Sequence, residues 1–200
     1  IGLVNGSASI SELVNRCNVS VSVSNNQNIH VGGILGRASA ALEISNCSNY
    51  ATVNISGANT AITRIGGIIG YVSTVGITAE DLNNYGVVTV THTGGADSHV
   101  GGVCGSIIYG ELKADINGGA VSSQSTHPDS TIGAILGTQH ASSIGTACTL
   151  EHAVVLEAAA VGGSVNGVKL DESNFAEYLL GGHQSKEVYL KDNAYFNYVP

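Results

Sequence analysis

Small and apolar residues recur along this chain in a six-residue pattern. Each copy begins with a β-branched residue, which is followed by glycine and then by a small or apolar residue. The six copies begin at Ile1, Val31, Ile65, Val100, Ile132 and Val161. Their first residues are 30, 34, 35, 32 and 29 positions apart. A period of this size indicates a repeat architecture in which each copy stacks on the next.

Within one copy the apolar positions predict three short strands. In the second copy they are Gly32–Arg37, Leu42–Cys47 and Ala51–Ser56. Coils that stack at the strand spacing of ~4.8 Å place equivalent side chains in ladders, and a glycine ladder marks a sharp bend or a lack of room for Cβ. The predicted fold is all-β, a three-sided parallel β-solenoid (β-helix) of about six rungs. Its handedness stays open.

A second signature places asparagine before an aromatic residue. Asn49 precedes Tyr50 and Asn84 precedes Tyr85, while Glu151 and His152 follow the same pattern with substitutions. Asparagine tolerates a left-handed corner, and its amide can stack on itself from rung to rung. The three ring-bearing residues are therefore the candidate ligand-binding residues: Tyr50 and Tyr85 on neighbouring rungs, and His152 two rungs further on. Cross-rung packing is the alternative interpretation.

The last forty residues depart from the repeat. We expect residues 1–160 to form a solenoid of five repeats and residues 161–200 to form a degenerate last repeat and a C-terminal cap. The segment from Asn174 to Gly181 predicts a short helix, with Asn174 as N-cap, Glu177 three residues later and glycine as the stop. A cap would cover the open end of the solenoid.

The second copy carries a family resemblance. Val31-Gly32-Gly33-Ile34-Leu35-Gly36, followed by Ile44-Ser45-Asn46-Cys47-Ser48-Asn49-Tyr50-Ala51-Thr52-Val53, resembles the GLUG repeat of bacterial surface proteins. The resemblance covers roughly residues 1–160. It implies a secreted or cell-surface protein with an adhesin-like role, and it implies no catalytic residues.

Composition and charge narrow the choice of partners. Only 11% of the residues are charged, and the net charge is −8. Nucleic-acid binding requires clustered positive charge, so the sequence predicts no nucleic-acid partner. No apolar run reaches the ~20 residues of a membrane-spanning helix. Because the chain contains no methionine, we expect Ile1 to follow a removed or missing upstream segment.

The cysteines and histidines predict no metal site and no cofactor. The four cysteines lack zinc-site spacing. Cys17, Cys47 and Cys148 are expected to share one inward column as buried free thiols, because in-register ladder geometry disfavours the alternative, a disulfide between Cys17 and Cys47. His30 and His99 would stand in one column with Arg64 between them, which places the two imidazoles too far apart for one metal ion.

Three glutamates are candidates for a different chemistry. Glu12, Glu43 and Glu111 each precede an apolar residue at similar depth in their copies. Glu12 and Glu43 on adjacent rungs would make a carboxylate pair for a cation or for glycoside hydrolysis. Exposed strand ends are the alternative.

The sequence therefore predicts an exported, non-enzymatic repeat module. Its expected partner is a polysaccharide, or a glycan or protein of a host surface. A carbohydrate-active β-helix enzyme and a purely structural stalk are the alternatives.

Overall fold

The computed structural model describes residues 1–24, 26–73, 77–92, 97–108, 110–139, 147–156, 161–163, 178–181, 187–191 and 193–196. The regular elements within these ranges are strands, which follow one another coil by coil. In chain order they are β1 Leu3–Val4, β2 Ala8–Ser11, β3 Val14–Asn15, β4 Val19–Val23; β5 Ile29–Gly32, β6 Leu35–Ala38, β7 Leu42–Asn49, β8 Val53–Gly57; β9 Thr63–Gly66, β10 Ile69–Val72, β11 Ile77–Asn84, β12 Val88–His92; β13 Ser98–Gly101, β14 Cys104–Ile107, β15 Gly110–Lys113, β16 Ile116–Asn117, β17 Val121–Ser123; β18 Thr131–Gly133, β19 Leu136–Gln139, β20 Ala147–Glu151, β21 Val154–Leu156, β22 Val161–Gly163; and finally β23 Glu187–Lys191 and β24 Ala194–Phe196.

These strands form four parallel sheets, and each strand pairs with its equivalent in the next coil. Sheet 1 contains β5, β9, β13 and β18; sheet 2 contains β1, β6, β10, β14 and β19; sheet 3 contains β2, β3, β7, β11, β15, β16, β20, β21, β23 and β24; sheet 4 contains β4, β8, β12, β17 and β22. The prediction of an all-β parallel solenoid is confirmed.

The number of strands in a turn differs from the prediction. The first predicted run, Gly32–Arg37, is divided between β5 and β6 by a bend at Gly33 and Ile34, so each full turn has strands in four sheets and not in three. Sheet 1 stacks four strands, which gives about four complete turns. The expectation of about six rungs is met only in sheet 3, where six levels follow one another.

The repeat alignment is correct in its centre and wrong at both ends. Val31, Ile65, Val100 and Ile132 pair in one register, as predicted. In the first copy, however, Leu3 pairs with Arg37 in sheet 2, so Gly2 is equivalent to Gly36 and not to Gly32. Val161 pairs with Val121 in sheet 4. A β-branched residue followed by glycine occurs in the strands of more than one sheet, so the motif alone does not identify the sheet to which a copy belongs.

The interior is filled by ladders of aliphatic side chains. Ile44 pairs with Ala79 and Ala79 with Leu112, and all three are buried. Sheet 4 contributes a similar ladder of Val53, Val88 and Val121, none of which is exposed. Burying such side chains stabilises a fold by roughly 1.5–3 kcal/mol each. Because every coil repeats the ladder, this stabilisation accumulates along the rod.

The C-terminal region continues the solenoid. The strands β23 and β24 pair in parallel with β20 and β21 and add a further level to sheet 3. Residues 174–177, the first half of the predicted cap helix, lie outside the described residues. At its end Leu179 is buried and Leu180 forms a parallel bridge with Leu136. Within the described part of the chain, no helix has the length and apolarity needed to cross a membrane.

Candidate functional site

A buried row of asparagine side chains shapes the corner between sheets 3 and 4. The amide Nδ2 of Asn15 donates to Oδ1 of Asn49 at 2.8 Å, Asn49 donates to Asn84 at 2.9 Å, and Asn84 donates to Asn117 at 2.9 Å. Each Nδ2 also donates to the backbone carbonyl two residues further on. This confirms the predicted stacking of the amides; the row begins at Asn15, and the level after Asn117 has Val155 in place of asparagine.

Two tyrosines directly follow members of the asparagine row. The rings of Tyr50 and Tyr85 stack with their centroids 5.1 Å apart and their planes inclined by 16°. Tyr50 is 49% exposed and Tyr85 is 39% exposed. The guanidinium carbon of Arg16, one coil earlier, lies 4.8 Å from the centre of the Tyr50 ring. We call Arg16, Tyr50 and Tyr85 the tyrosine stack. At the next level Gly118 stands in this position and has no side chain.

His152 does not belong to the tyrosine stack. Lys113 pairs with Glu151, so His152 is equivalent to Ala114, four positions before the position of the tyrosines. The residues in this column share a left-handed backbone, with φ between 52° and 60°: Glu12, Asn46, Asp81, Ala114 and His152. The left-handed corner that the sequence indicated is therefore real, but it lies before the asparagine row. The structure brings Tyr50 and Tyr85 together and places His152 elsewhere.

The three candidate glutamates are exposed on sheet 3 and do not pair as expected. Glu43 pairs with Ser9 of the preceding coil, whereas Glu12 stands in the left-handed column. Glu43, Thr78 and Glu111 occupy one column, so the two glutamates are two strand spacings apart, about 10 Å. Glu111 forms an ion pair of 2.8 Å with Lys113.

Glu43 lines an open groove on this sheet. The groove has a volume of about 430 Å³ and contains the hydroxyl groups of Ser7, Ser9 and Thr78 beside the Glu43 carboxylate. Hydroxyl and carboxylate groups of this kind can hydrogen-bond the hydroxyls of a sugar. The groove is therefore a second candidate binding surface, separate from the tyrosine stack.

The cysteines occupy different columns from the one expected. Cys47 lies in the column of Leu82, and Cys148 lies in the column of Gly110. Cys17 lies two residues after Asn15, in the turn that follows β3. Cys47 is buried, and this burial raises the pKa of its thiol, whereas Cys17 is an exposed free thiol. Within the described residues, no three His, Cys, Asp or Glu side chains lie close enough to hold a metal ion.

A polar seam runs between sheets 1 and 2, where the chain bends at the paired glycines. His30, Arg64 and His99 form one column of sheet 1, as the sequence predicted. Arg64 lies across the seam from Tyr71 of sheet 2, and its guanidinium carbon is 4.1 Å from the ring centre. The contact of Tyr71 with this column could not be predicted, because the repeat period does not show which strands face each other across a bend.

Comparisons of the chain with family models, with curated proteins and with solved structures find no match.

Proposed function

We propose that this chain is a non-enzymatic binding module of an exported or cell-surface protein and that the tyrosine stack contacts a saccharide ligand. The observation that carries the proposal is the stacked, exposed pair of Tyr50 and Tyr85. The resemblance to GLUG repeats supports the exported location and the adhesin-like role.

The exposure of the tyrosines favours a ligand contact. Aromatic rings have a large apolar surface and a polar tip, which suits them to the C–H faces and the hydroxyls of a sugar ring. Tyr50 and Tyr85 keep roughly half and two-fifths of their area exposed even though they stack on each other. Arg16 adds donors at the end of the stack.

The asparagine row makes this surface rigid. Asn49 and Asn84 are fully buried, and their amides hold the backbone carbonyls of Ala51 and Gly86 on the far side of each tyrosine. A side chain that is already fixed loses little entropy when a ligand binds. The tyrosine stack is thus prepared for binding without rearrangement.

The test is a glycan array followed by measurement of affinity for each hit. We expect Tyr85→Ala to lower the affinity at least about tenfold, and Tyr85→Phe to keep most of it if ring stacking dominates. Val87→Ala is the matched control, because Val87 is an apolar residue of the same segment with 42% exposure. Equal affinity of Tyr85→Ala and Val87→Ala for every hit would show that the ligand does not contact the tyrosines.

A carbohydrate-active enzyme is the second candidate function. The observation that favours it is the groove at Glu43, with Glu111 about 10 Å away in the same column. Inverting glycosidases separate their two carboxyl groups by about 6.5–9.5 Å to leave room for a water molecule. Product release from an array hit that Glu43→Gln and Glu111→Gln each abolish would establish this function in place of the first. Absence of any binding would instead favour a structural stalk.

A further inference from the structure

The seam between sheets 1 and 2 gathers positive charge in an acidic protein. The chain has only seven Lys and Arg residues and a net charge of −8. Two of its three arginines nevertheless meet over one ring, because the guanidinium carbon of Arg64 lies 4.1 Å, and that of Arg37 5.8 Å, from the centre of Tyr71. His30 packs on the same ring at 4.8 Å.

Arg64 is a buried charge without an anionic partner at contact distance. Only 7% of its surface is exposed. Within the described residues no carboxylate lies within 4.0 Å of its guanidinium, and Nε has no hydrogen-bond partner. Among the carboxylates, the charge of Asp97 acts on Arg64, and Oδ2 of Asp97 lies 3.2 Å from Nε2 of His99. Burying an unpaired charge costs free energy, so an anion bound beside this guanidinium would stabilise the folded protein.

Neighbouring groups of the seam also have unused hydrogen-bonding capacity. Nδ1 of His30 and Oγ of Ser106 are buried and have no hydrogen-bond partner in the described structure. Ser106 pairs with Tyr71 in the next coil. Arg37 is partly exposed and donates through Nε to the hydroxyl of Ser73 at 3.1 Å, which orients its guanidinium. Buried polar groups that lack partners usually mark a bound ion or water.

The charge of the seam is strong enough to act on its histidine. Burial, followed by the charges of Arg64 and Arg37, lowers the pKa of His30 from 6.5 to about 4. The imidazole is thus neutral at pH 7, and the two guanidinium groups are the cations of this surface. A metal ion would be repelled here, whereas an oxyanion would be attracted.

We propose that Arg37 and Arg64 form a binding site for a single oxyanion group (a sulfate, phosphate or carboxylate) beside Tyr71, in the seam between sheets 1 and 2. Guanidinium groups present paired donors that match two oxygens of such a group. The site is separate from the tyrosine stack, so this inference does not rest on the function proposed above.

The experiment compares the melting temperature in sodium sulfate and in sodium chloride at equal ionic strength. Sulfate at ten times its dissociation constant should raise the melting temperature of the parent by about 3–6 °C. Arg37→Gln and Arg64→Gln should each weaken sulfate binding at least about tenfold. Lys113→Gln removes one positive charge from sheet 3 and should leave the response to sulfate unchanged. If Arg64→Gln fails to fold, the partly exposed Arg37→Gln still decides the question.

A second measurement distinguishes binding from a general salt effect. In NMR titrations, bound sulfate should raise the pKa of His30, because an anion offsets the charges of Arg64 and Arg37 that lower it. Glucuronate and a sulfated monosaccharide then identify the source: tighter binding than free sulfate points to the acidic group of a saccharide, and equal or weaker binding points to a free anion. A melting temperature that responds equally to sulfate and chloride, or an Arg37→Gln variant that responds like the parent, would overturn the proposal.

Discussion

The side-chain Oδ1 of Asp115 accepts a hydrogen bond from the backbone N–H of Leu82, one coil earlier, at 2.9 Å. Asp115 is completely buried in a core column that Leu82 also occupies, and its second oxygen, Oδ2, has no partner in the described structure. The N–H of Leu82 follows Asp81, whose left-handed backbone has φ of 54°. An acidic residue thus serves inside the core as the acceptor for a backbone group at the bend.

The same arrangement recurs at alternate coils with other residue types. The thiol of Cys47 interacts with the backbone N–H of Leu13, and Oδ1 of Asn193 accepts from the N–H of Ala153 at 2.8 Å. Cys47, Asp115 and Asn193 therefore have the same role. Each supplies an acceptor for the backbone N–H of the residue that follows a left-handed corner. An asparagine already performs this role in the chain, which suggests the substitution for testing Asp115.

Asp115 should make the stability of the protein depend on pH. Burial raises its pKa well above the ordinary value, more than the Leu82 N–H lowers it, and Asp81 and Glu80 raise it further. The folded state then holds a proton that the unfolded chain releases above about pH 4. The contribution of Asp115 to the free energy of unfolding should therefore be greatest below about pH 4 and be lost as the pH rises through the folded-state pKa. Denaturant unfolding at a series of pH values measures this slope.

Asp115→Asn should flatten that slope, since the amide keeps the acceptor for Leu82 and cannot ionise. Glu12→Gln removes an exposed carboxyl group and is the matched control. A slope for Asp115→Asn that equals the slope for Glu12→Gln would show that Asp115 is not protonated in the folded protein.

Gly66→Val should disrupt the centre of the rod. A Cβ at Gly66 would lie 2.6 Å from the carbonyl oxygen of Val103 and 2.7 Å from the nitrogen of Gly105, with the carbonyl of Ile69 closer still. Backbone atoms of two coils cannot both move away, so we expect a loss of about 3 kcal/mol or more. The melting temperature should fall by at least about 6 °C. At Gly2 an added Cβ meets nothing within 4 Å, so Gly2→Val should melt close to the parent; a Gly66→Val variant that does the same would contradict the packing described here.

Asn84→Ala should destabilise the fold much more than Asn15→Ala. The first change leaves Oδ1 of Asn117 without the side-chain amide donor of Asn84, removes the acceptor of Asn49 and leaves the carbonyl of Gly86 without its Asn84 donor. Nδ2 of Asn49 still donates to Ala51 and Oδ1 of Asn117 still accepts from Gly119, so each of the three lost hydrogen bonds should cost about 0.5–1.5 kcal/mol. Asn15 is partly exposed and ends the row, so its removal should cost about 1 kcal/mol. Chemical denaturation compares the two variants, and equal losses would mean that the buried row is not cooperative.

The register of the central coils could be predicted from the sequence, because equivalent positions in these coils carry the same residue types. Val31, Ile65 and Val100 are equivalent in sequence and in space, and the glycine after each is held at the close approach that forbids a Cβ. His30 and Arg64 were correctly placed in one column for the same reason. Where the packing of a position admits only one residue type, that type recurs in every coil and shows the register in the sequence.

The remaining positions were not predictable from the period alone. The sequence predicts His152 in the tyrosine column because Glu151-His152-Ala153 imitates Asn-Tyr-Ala, yet Asn117 pairs with Val155, so the longer coil between them shifts the register by four residues. The contact of Arg37 and Arg64 with Tyr71 depends on which strands face each other across the glycine bend. A single sequence contains no record of that geometry.

The asparagine row has a consequence for how such a rod can change its length. Successive members are separated by 34, 35 and 33 residues, yet every amide donates in the same direction to the next. Differences in coil length are thus located in the turns, whereas each coil contributes one asparagine to the row. Segments added to the turns would leave the hydrogen-bonded row intact, whereas a coil added without its asparagine would interrupt it. A rod of this kind can therefore be lengthened only by complete coils, and individual coils can differ from one another in their turns.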